Sequence, residues 1–275
     1  MTAPTSAATV LVTGAAGDIG AAAAARFVRD GLRVVVTDRR RDDLDRVAGA
    51  LREGGGEVLA LACDQTDPEA VEALFAAVEG FGALRAAFVN AGYGSYGALI
   101  DQEFKAWKKH IDVNLNGGFL MARGAARLMA KTGGGAIVIN TSTAAHHECD
   151  LLGAYAASKA GLAMMARTMA AELGIHGIRV NTIMPGVIET SMTRSLLDDP
   201  ATHADVLSET PVGRLGRAED VAGLVAFLCG EDAGYITGAE ILIDGGQTIH
   251  GYPRWFRLDY GTKGDWYPQA ARKPR

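Results

Sequence analysis

The sequence predicts an α/β fold in which one parallel sheet lies between two layers of helices. Along the chain, apolar runs of strand length alternate with segments of helix length. The runs are continuously apolar rather than alternating, which is typical of strands with both faces covered. With 275 residues, 48% of them hydrophobic, the chain suits one large domain with a sizeable core.

Seven apolar runs are predicted to be the strands. They span residues 9–12, 33–37, 58–62, 86–89, 136–139, 179–183 and 241–243. A doubly wound sheet of this kind binds its ligands beyond the carboxyl ends of its strands. Five residues fall there in this assignment: Asp38, Asp64, Asn90, Ser142 and Pro185. We therefore expect a single crevice to collect the ligand-binding groups.

A glycine-rich turn follows the first predicted strand and precedes an alanine-rich segment that favours helix. It reads TGAAGDIG over residues 13–20. In a dinucleotide-binding turn, glycines permit the tight bend, the approach of backbone N–H groups to a pyrophosphate, and close packing of helix against strand. We assign these roles to Gly14, Gly17 and Gly20, and the amino terminus of the following helix favours the anion.

Asp38 ends the second predicted strand, eighteen residues after Gly20. A carboxylate at this position can accept hydrogen bonds from the hydroxyls of an adenosine ribose, whereas a 2′-phosphate would meet like charge. Asp18 adds a second acidic group. Arg39 and Arg40 argue the other way, because guanidinium groups bind phosphate. We therefore predict NAD in preference to NADP.

Tyr155 and Lys159 stand four residues apart, so a helix would place the phenol and the ammonium on one face. To use a phenol of pKa about 10 as a base near neutral pH requires about 4 kcal/mol of stabilisation of its anion. One ammonium at about 4 Å supplies about that much at an effective dielectric of about 20. The pair predicts a proton-transferring tyrosine whose pKa is lowered by the lysine. Taken alone, the same spacing more often marks a solvated helix face.

Taken together, these motifs resemble those of the short-chain dehydrogenase/reductase family over about residues 8 to 246. The family's Thr-Gly-x-x-x-Gly-x-Gly cofactor loop is matched to residues 13–20, its Asn-Ala-Gly to residues 90–92 and its Tyr-x-x-x-Lys to residues 155–159. The resemblance implies a three-layer Rossmann fold with a single doubly wound, parallel, seven-stranded sheet. It implies four catalytic residues: Asn114, Ser142, Tyr155 and Lys159.

The resemblance also implies where the cofactor binds. It assigns Asp64 to the adenine, residues 185–186 to the side of the nicotinamide, and Thr190 to its carboxamide. The full expected set is Gly14, Gly17, Asp18, Ile19, Gly20, Asp38, Arg39, Asp64, Gln65, Asn90, Ala91, Gly92, Tyr155, Lys159, Pro185, Gly186, Val187, Ile188 and Thr190.

The resemblance gives each catalytic residue a role. Tyr155 takes the proton as hydride leaves for the nicotinamide, Ser142 holds the substrate oxygen, and Lys159 also hydrogen-bonds the nicotinamide ribose. Asn114 holds a water that relays protons from Lys159. Two simpler interpretations stay open: Ser142 can bond a turn backbone only, and Asn114 can kink a helix by bonding its carbonyls.

The implied function is NAD-dependent interconversion of a secondary alcohol, such as a polyol, a sugar-like or a cyclic alcohol, and its ketone. One alternative is an NADPH-dependent 3-oxoacyl reductase of lipid synthesis, which Asp38 and Asp18 disfavour. Another is a non-catalytic protein that senses the cofactor, which the complete catalytic set disfavours.

Two segments are expected to select the substrate. Residues 145–150 read AHHECD and predict either a polar rim or a solvated loop. Adjacent residues rarely converge on one ion, so we predict no metal site there. Residues 191–217 predict a mobile flap, because Met192 with residues 196–197 gives an apolar helical face that residues 198–200 break. The alternative is a permanently packed surface helix.

The domain boundary is predicted after residue 246. Residues 247–275 form an aromatic, basic extension that we expect to dock at a subunit interface or at the mouth of the active site, the alternative being its own core. The helix over residues 154–173 is rich in small residues, which favours assembly. The resemblance implies a homotetramer, with a dimer as the alternative.

Composition excludes several classes of protein. The net charge of −5 argues against a nucleic-acid partner. Cys63, Cys149 and Cys229 are odd in number and widely spaced, which argues against disulfides and zinc and favours a reducing compartment. No leader pattern opens the chain and no apolar run reaches the roughly 18 residues that span a bilayer. We expect a cytoplasmic protein with a small-molecule substrate and no membrane association.

Overall fold

The computed structural model describes residues 8–249, and it confirms the predicted fold class. One sheet of seven parallel strands runs through them, in the order β3-β2-β1-β4-β5-β6-β7. The strands are β1 Thr9–Thr13, β2 Arg33–Asp38, β3 Val58–Ala62, β4 Leu84–Val89, β5 Gly135–Asn140, β6 Ile178–Pro185 and β7 Glu240–Ile243. The winding reverses between β1 and β4, which opens a crevice beyond their carboxyl ends.

Helices cover both faces of the sheet. In the described residues they are α1 Asp18–Arg29, α2 Arg41–Glu53, α3 Pro68–Phe81, α4 Phe104–His110, α5 Gly118–Lys131, α6 Gly153–Leu173, α7 Arg194–Leu197, α8 Pro200–Ser208 and α9 Ala218–Cys229. Two hydrophobic cores result, one beneath α3, α5 and α6 and the other beneath α1, α2 and α9.

Alternate residues of β1 to β6 supply the two cores, whereas β7 contributes only to the core beneath α1, α2 and α9. In β1, Leu11 packs into the core beneath α3, α5 and α6, whereas Val10 and Val12 pack into the core beneath α1, α2 and α9. All three side chains are almost completely buried. A strand that feeds a core on each side has no solvent-facing position, which explains why the apolar runs are continuous.

The flap, residues 191–217, differs in detail from the sequence prediction. Met192 precedes α7, so it does not share a helical face with Leu196 and Leu197, and that expectation is wrong. The break at residues 198–200 is present because Asp199 accepts a hydrogen bond from the Thr202 backbone at 2.8 Å and caps α8. A second short helix therefore begins where the sequence predicts an interruption.

The domain extends past the predicted boundary at residue 246. The Gln247 side chain accepts a hydrogen bond from the Val187 backbone and donates one to the Thr210 hydroxyl, each at 2.9 Å. The Thr248 backbone donates to the Asp244 carboxylate at 2.9 Å. These two residues are integral to the domain, and the rest of the predicted extension, residues 250–275, lies outside the described residues.

Candidate active site

The structure brings the four predicted catalytic residues together beyond the carboxyl ends of β4 and β5. Tyr155 and Lys159 lie one turn apart near the start of α6, with the Lys159 Nζ 5.6 Å from the centre of the Tyr155 ring. Ser142 follows β5, and its hydroxyl hydrogen-bonds the Tyr155 phenol. Asn114 and Lys159 flank Gly92, since a Cβ added there would lie 3.3 Å from Asn114 Oδ1 and 3.5 Å from Lys159 Nζ.

Asn114 braces the loop that follows β4. It lies in a π-helical segment, Ile111–Gly117, and its Oδ1 accepts a hydrogen bond from the Tyr93 backbone at 2.7 Å. Its Nδ2 donates to the Tyr93 carbonyl at 2.9 Å and to the Ser158 hydroxyl at 2.8 Å. The helix is thus distorted, but these bonds go to another loop and to α6, not to the carbonyls of its own helix as the simpler interpretation held. The proton-relay water stays a prediction.

Lys159 is almost completely buried, with 3% of its surface exposed. Its ammonium donates to the Asn140 carbonyl at 2.7 Å. The Asn140 side chain in turn donates to Asn90 Oδ1 at 2.8 Å, and Asn90 Nδ2 donates to the Thr13 carbonyl at 3.1 Å. Burial lowers the pKa of Lys159 to about 8. A chain of amides therefore links the ammonium to the end of β1.

The pKa of Tyr155 moves opposite to the sequence prediction. Burial raises the pKa of the phenol above its usual value, and the hydrogen bond from Ser142 offsets this only in part. The Lys159 ammonium is hydrogen-bonded to Asn140 and lies beside the ring, so it does not outweigh the loss of solvation. The phenol is therefore protonated near neutral pH, a state suited to donating a proton to a ketone oxygen.

Two of the three turn glycines are required by the protein itself. Gly14 has φ +63°, and a Cβ there would lie 2.8 Å from the Ala91 Cα. A Cβ on Gly20 would lie 2.3 Å from the Gly14 carbonyl oxygen. Gly17 is different, because its added Cβ would only make an ordinary contact of 3.5 Å. The open side of Gly17, at the amino terminus of α1, fits a pyrophosphate.

Asp18 departs from the family pattern matched to this turn. The glycines stand at positions 14, 17 and 20, so the sixth position of Thr-Gly-x-x-x-Gly-x-Gly is Asp18 instead of glycine. Its carboxylate accepts hydrogen bonds from the Ser191 backbone at 2.8 Å and the Ser191 hydroxyl at 2.9 Å. Burial raises its pKa, but the bonds from Ser191 and the charge of Arg194 bring the pKa below its usual value. The side chain meets the flap, a contact that the sequence interpretation did not foresee.

Asp38 is fixed beside the turn. Its carboxylate accepts hydrogen bonds from the Ala16 backbone at 3.3 Å and the Arg40 backbone at 3.0 Å. Arg40 pairs with Asp38 at 3.5 Å and with Asp43 at 2.9 Å, so its guanidinium already faces carboxylates. Arg39 is exposed. The arrangement suits a ribose diol better than a phosphate.

Gln65 has a structural role that the sequence did not reveal. Its buried side chain donates to the Ala91 carbonyl at 3.2 Å and to the Val113 carbonyl at 2.9 Å, so the amide nitrogen braces the protein, and cofactor binding by Gln65 stays a prediction. The neighbouring Asp64 is exposed, and its carboxylate accepts from the Thr66 backbone and hydroxyl at 2.9 and 2.8 Å.

The remaining residues matched to the cofactor line the same crevice. The Thr13 hydroxyl accepts from the backbones of Asn90 and Ala91 at 2.9 and 3.0 Å, which fixes the loop that carries Gly92. Ile19, on the first turn of α1, packs partly buried against the adjacent core.

The loop after β6, where the resemblance places the nicotinamide, is held by bonds within the protein. Pro185 ends the strand, and a Cβ on Gly186 would lie 2.2 Å from Gln247 Oε1. Ile188 is buried, and the Thr190 backbone donates to the Thr193 hydroxyl at 3.0 Å. Val187 completes the loop through its bond to Gln247.

Four residues form what we call the mouth: Gly94, Tyr96, Cys149 and Met192. A Cβ on Gly94 would lie 3.6 Å from the Tyr155 ring and 3.9 Å from the Met192 sulfur. Tyr96 and Cys149 are close enough to raise the pKa of Tyr155. Tyr96 is 54% exposed and Met192 is 56% exposed. Apart from the catalytic residues, the segments predicted to select the substrate were the flap and the loop 145–150, and Gly94 and Tyr96 belong to neither.

The loop 145–150 divides between two surroundings. His146 pairs with Glu240 of the edge strand β7, whereas Cys149 lies beside the Tyr155 phenol. Within residues 8–249 no group of three or more His, Cys, Asp or Glu side chains is arranged to hold a metal ion. In the same residues no helix has the length and apolar character needed to cross a bilayer.

Three residues that support the site were not predicted as site residues from the sequence: Thr13, Asn140 and Ser158. Ser158 accepts from Asn114 and donates to the Tyr155 carbonyl at 2.7 Å, so it joins the π-helical segment to α6. Thr13 and Asn140 each end a parallel strand. A polar residue at the carboxyl end of a buried strand is the signal that would have found those two.

Comparison with known proteins agrees with this geometry. A family model described as enoyl-(acyl carrier protein) reductase matches residues 14–248. Dehydrogenase/reductase SDR family member 4 of Bos taurus is 38% identical over 242 residues, 87% of this chain and 87% of that protein. L-rhamnose 1-dehydrogenase (NAD(P)(+)) of Azotobacter vinelandii is 37% identical over 248 residues, 88% of this chain and 97% of that protein.

The fold is also similar to that of solved structures. A crystal structure of a short-chain type dehydrogenase/reductase from Mycobacterium marinum has a TM-score of 0.83 and 36% sequence identity. The similarity covers 88% of this chain and 95% of that one.

Proposed function

From the premise that this chain belongs to the short-chain dehydrogenase/reductase family, we propose that it interconverts a secondary alcohol and its ketone with NAD. Family membership makes the protein an oxidoreductase that acts on CH–OH groups. The observation that carries the finer proposal is the convergence of Ser142, Tyr155 and Lys159, braced by Asn114, at the carboxyl ends of the central strands.

The residues divide the work of proton transfer. NAD, when bound, accepts or supplies the hydride. Ser142, already hydrogen-bonded to the phenol, orients the substrate oxygen, and Tyr155 gives or takes its proton. Lys159 keeps a positive charge beside the phenol below its pKa of about 8, which favours the tyrosinate when alcohol is oxidised. Because burial raises the pKa of Tyr155, the phenol carries its proton near neutral pH and can donate it to a ketone oxygen.

Asp38 supports NAD over NADP. Its carboxylate is held beside the turn by two backbone N–H groups, where a 2′-phosphate would meet its negative charge. The nearby guanidinium of Arg40 is paired with two aspartates, which makes it less able to bind a phosphate. The related L-rhamnose 1-dehydrogenase is named for both cofactors, so the proposed preference depends on Asp38 and not on family membership.

The substrate we propose is a small polyol, sugar-like or cyclic secondary alcohol. The mouth carries the Tyr96 hydroxyl, the Cys149 thiol and the Met192 thioether near Tyr155. This mixture of hydrogen-bonding and apolar groups suits a hydroxylated ring or chain. The name of the rhamnose dehydrogenase, whose substrate is a sugar, points the same way.

Self-association is the further part of the proposal, as a homotetramer or a dimer in the cytoplasm. Phe119 of α5 is 40% exposed and Met164 of α6 is 58% exposed. Large apolar side chains on adjacent outer helices are suited to packing against a second copy. The extension over residues 250–275 remains a second candidate contact.

A screen of secondary alcohols and ketones, followed by NADH absorbance, tests the proposed function. Tyr155→Phe is the matched blank, because it removes one oxygen and keeps the packed ring. We expect turnover by the natural protein and none above background by the variant. Equal turnover by both would remove Tyr155 from the reaction, and NADPH-only turnover would remove the NAD assignment.

A second candidate is an NADPH-dependent 3-oxoacyl reductase. The description of the matching family model, enoyl-(acyl carrier protein) reductase, supports it only as far as the acyl carrier, because an enoyl reductase reduces a C=C bond and not a 3-oxo group. Asp38 stands against it, because its fixed carboxylate lies where a 2′-phosphate is expected. Activity with an acyl thioester and NADPH, but not with polyols and NAD, would establish this alternative.

A further inference from the structure

We propose that Asp18 is a positioning residue that ties the flap to the cofactor turn and thereby sets the place of Met192 above Tyr155. The inference rests on the proposed function for its consequence in catalysis. The contact itself is a property of the fold, and it can be tested without turnover.

The contact joins two distant parts of the chain. Asp18 opens α1 at the glycine-rich turn, and its Oδ2 accepts hydrogen bonds from both the backbone and the hydroxyl of Ser191, at 2.8 and 2.9 Å. Bonds to an ionised carboxylate are among the stronger hydrogen bonds in proteins. Arg194, a few residues along the flap, adds positive charge that favours the ionised carboxylate.

Ser191 is followed directly by Met192, which contacts the other half of the site. The point where a Gly94 Cβ would sit lies 3.9 Å from the Met192 sulfur and 3.6 Å from the Tyr155 ring. One short turn therefore contacts two parts of the site: Ser191 bonds the glycine-rich turn at Asp18, and Met192 forms part of the mouth. A shift of Ser191 moves the thioether relative to the phenol.

The base of the flap is held by other bonds. The Glu189 backbone donates to the Gly216 carbonyl at 2.9 Å, and the Gly216 backbone donates to the Val187 carbonyl at 3.1 Å. Inside the turn, the Thr193 hydroxyl donates to the Ile188 carbonyl at 2.6 Å. These bonds stay within the flap and its base, whereas Asp18 fixes the turn to α1. Loss of Asp18 should therefore free the turn without unfolding the base.

The residue type supports a positioning role. The family pattern matched to this turn has glycine where this chain has Asp18, and glycine has no side chain with which to reach the flap. A carboxylate near an expected pyrophosphate adds like charge, which by itself weakens cofactor binding. Two hydrogen bonds from Ser191 and the charge of Arg194 turn that carboxylate toward the flap.

Hydrogen exchange of the flap tests the contact directly, because the Ser191 amide is itself a donor to Asp18. The variants are Asp18→Ala, Ser191→Ala and both together, with Asp30→Ala, at the other end of the same helix, as the matched control. We expect about tenfold faster exchange of the peptide covering residues 190–197 in Asp18→Ala, a smaller rise in Ser191→Ala, and no change in Asp30→Ala. Unchanged exchange in a folded Asp18→Ala protein would overturn the proposal.

Kinetics test the consequence for substrate. We expect Asp18→Ala to raise the substrate KM about tenfold while changing kcat less, and the double variant to add little to Asp18→Ala, because both changes break one contact. Faster flap exchange with an unchanged KM would overturn the link to Met192. If no NAD-dependent turnover exists at all, the proposed function fails, and the exchange result still judges the contact.

Discussion

The catalytic centre and the mouth are built in different ways, although they share the Tyr155 phenol. At the centre, a chain of hydrogen bonds runs from Lys159 through Asn140 and Asn90 to Thr13, and the last three residues stand at strand ends. At the mouth, Tyr96 and Met192 are more than half exposed. The centre is set by backbone positions and the mouth by side chains on loops. We therefore expect substitutions at the mouth to change substrate choice without changing the chemistry at the centre.

The largest expected effect comes from Lys159→Met, which removes the ammonium from the centre. We expect turnover to fall by about 10³-fold, because the phenol loses its neighbouring charge. The Lys159 pKa falls from 10.5 to about 8 on burial, so folding disfavours the charged form. Below about pH 8 the natural protein carries this penalty of about 3 kcal/mol, and it disappears as pH rises toward 10.5.

Lys159→Met should therefore raise the free energy of unfolding near neutral pH, by about 2 kcal/mol after the lost bond to Asn140 is subtracted. Urea denaturation of both proteins, at neutral and at alkaline pH, measures this. The gain should shrink as the pH rises. A variant that is inactive and also less stable would show that Lys159 supports the fold. It would contradict the claim that the protein keeps a destabilising buried charge at the centre for catalysis.

Two glycines of the cofactor turn differ in what requires them: the fold requires Gly20, and the bound cofactor is expected to require Gly17. Gly17→Ala should keep its melting temperature, because the added Cβ makes only a 3.5 Å contact, yet weaken NADH binding by about 2 kcal/mol, roughly 30-fold in Kd. Gly20→Ala should lose stability instead, because its Cβ would lie 2.3 Å from a carbonyl oxygen. Calorimetry and NADH fluorescence separate the two. Tight NADH binding by a folded Gly17→Ala would place the pyrophosphate elsewhere.

Asp38→Asn tests the cofactor preference with little change in shape. The amide keeps an acceptor for the Ala16 backbone but loses the negative charge that opposes a 2′-phosphate. We expect the ratio of kcat/KM for NADP to that for NAD to rise about tenfold. A ratio that does not move would show that the charge of Asp38 does not set the cofactor preference.

The smallest expected effect lies at the mouth. Gly94→Ala places a methyl group between the Tyr155 ring and the Met192 sulfur at ordinary contact distances, so the protein should fold normally. We expect KM to rise a few-fold for bulky alcohols, about 1 kcal/mol or less, with kcat for small alcohols unchanged. A fall in kcat for every substrate would mean that the methyl group disturbs the phenol, and the centre and mouth would not be separable.

The sequence predicts the sheet well and the site in part, for physical reasons that differ. Strands β1 to β6 can be predicted because each contributes residues to both cores and so reads as a continuous apolar run. Strand β7 contributes to one core only, and its Leu242 is exposed. The predicted catalytic set could be found because its spacing matches a known family; it consists of Tyr155, Lys159, Ser142 and Asn114.

The contacts between distant segments could not be predicted from the sequence. Asp18 and Ser191 are separated by 173 residues, and the bond between Asn140 and Asn90 depends on the register of β4 and β5. The direction of the Tyr155 pKa was missed because spacing gives the position of a charge but not the loss of solvation around the phenol.

The central claim is that Tyr155 transfers the proton for every substrate that the mouth admits. The measurement is the single-turnover rate of hydride transfer, with bound NAD and a panel of secondary alcohols, in the natural protein, Tyr155→Phe and Gly94→Ala. The account predicts that Tyr155→Phe loses about 10²- to 10⁴-fold for every alcohol with NADH affinity unchanged, while Gly94→Ala changes only the order of preference. A Tyr155→Phe protein that transfers hydride at a near-normal rate with any alcohol would contradict it.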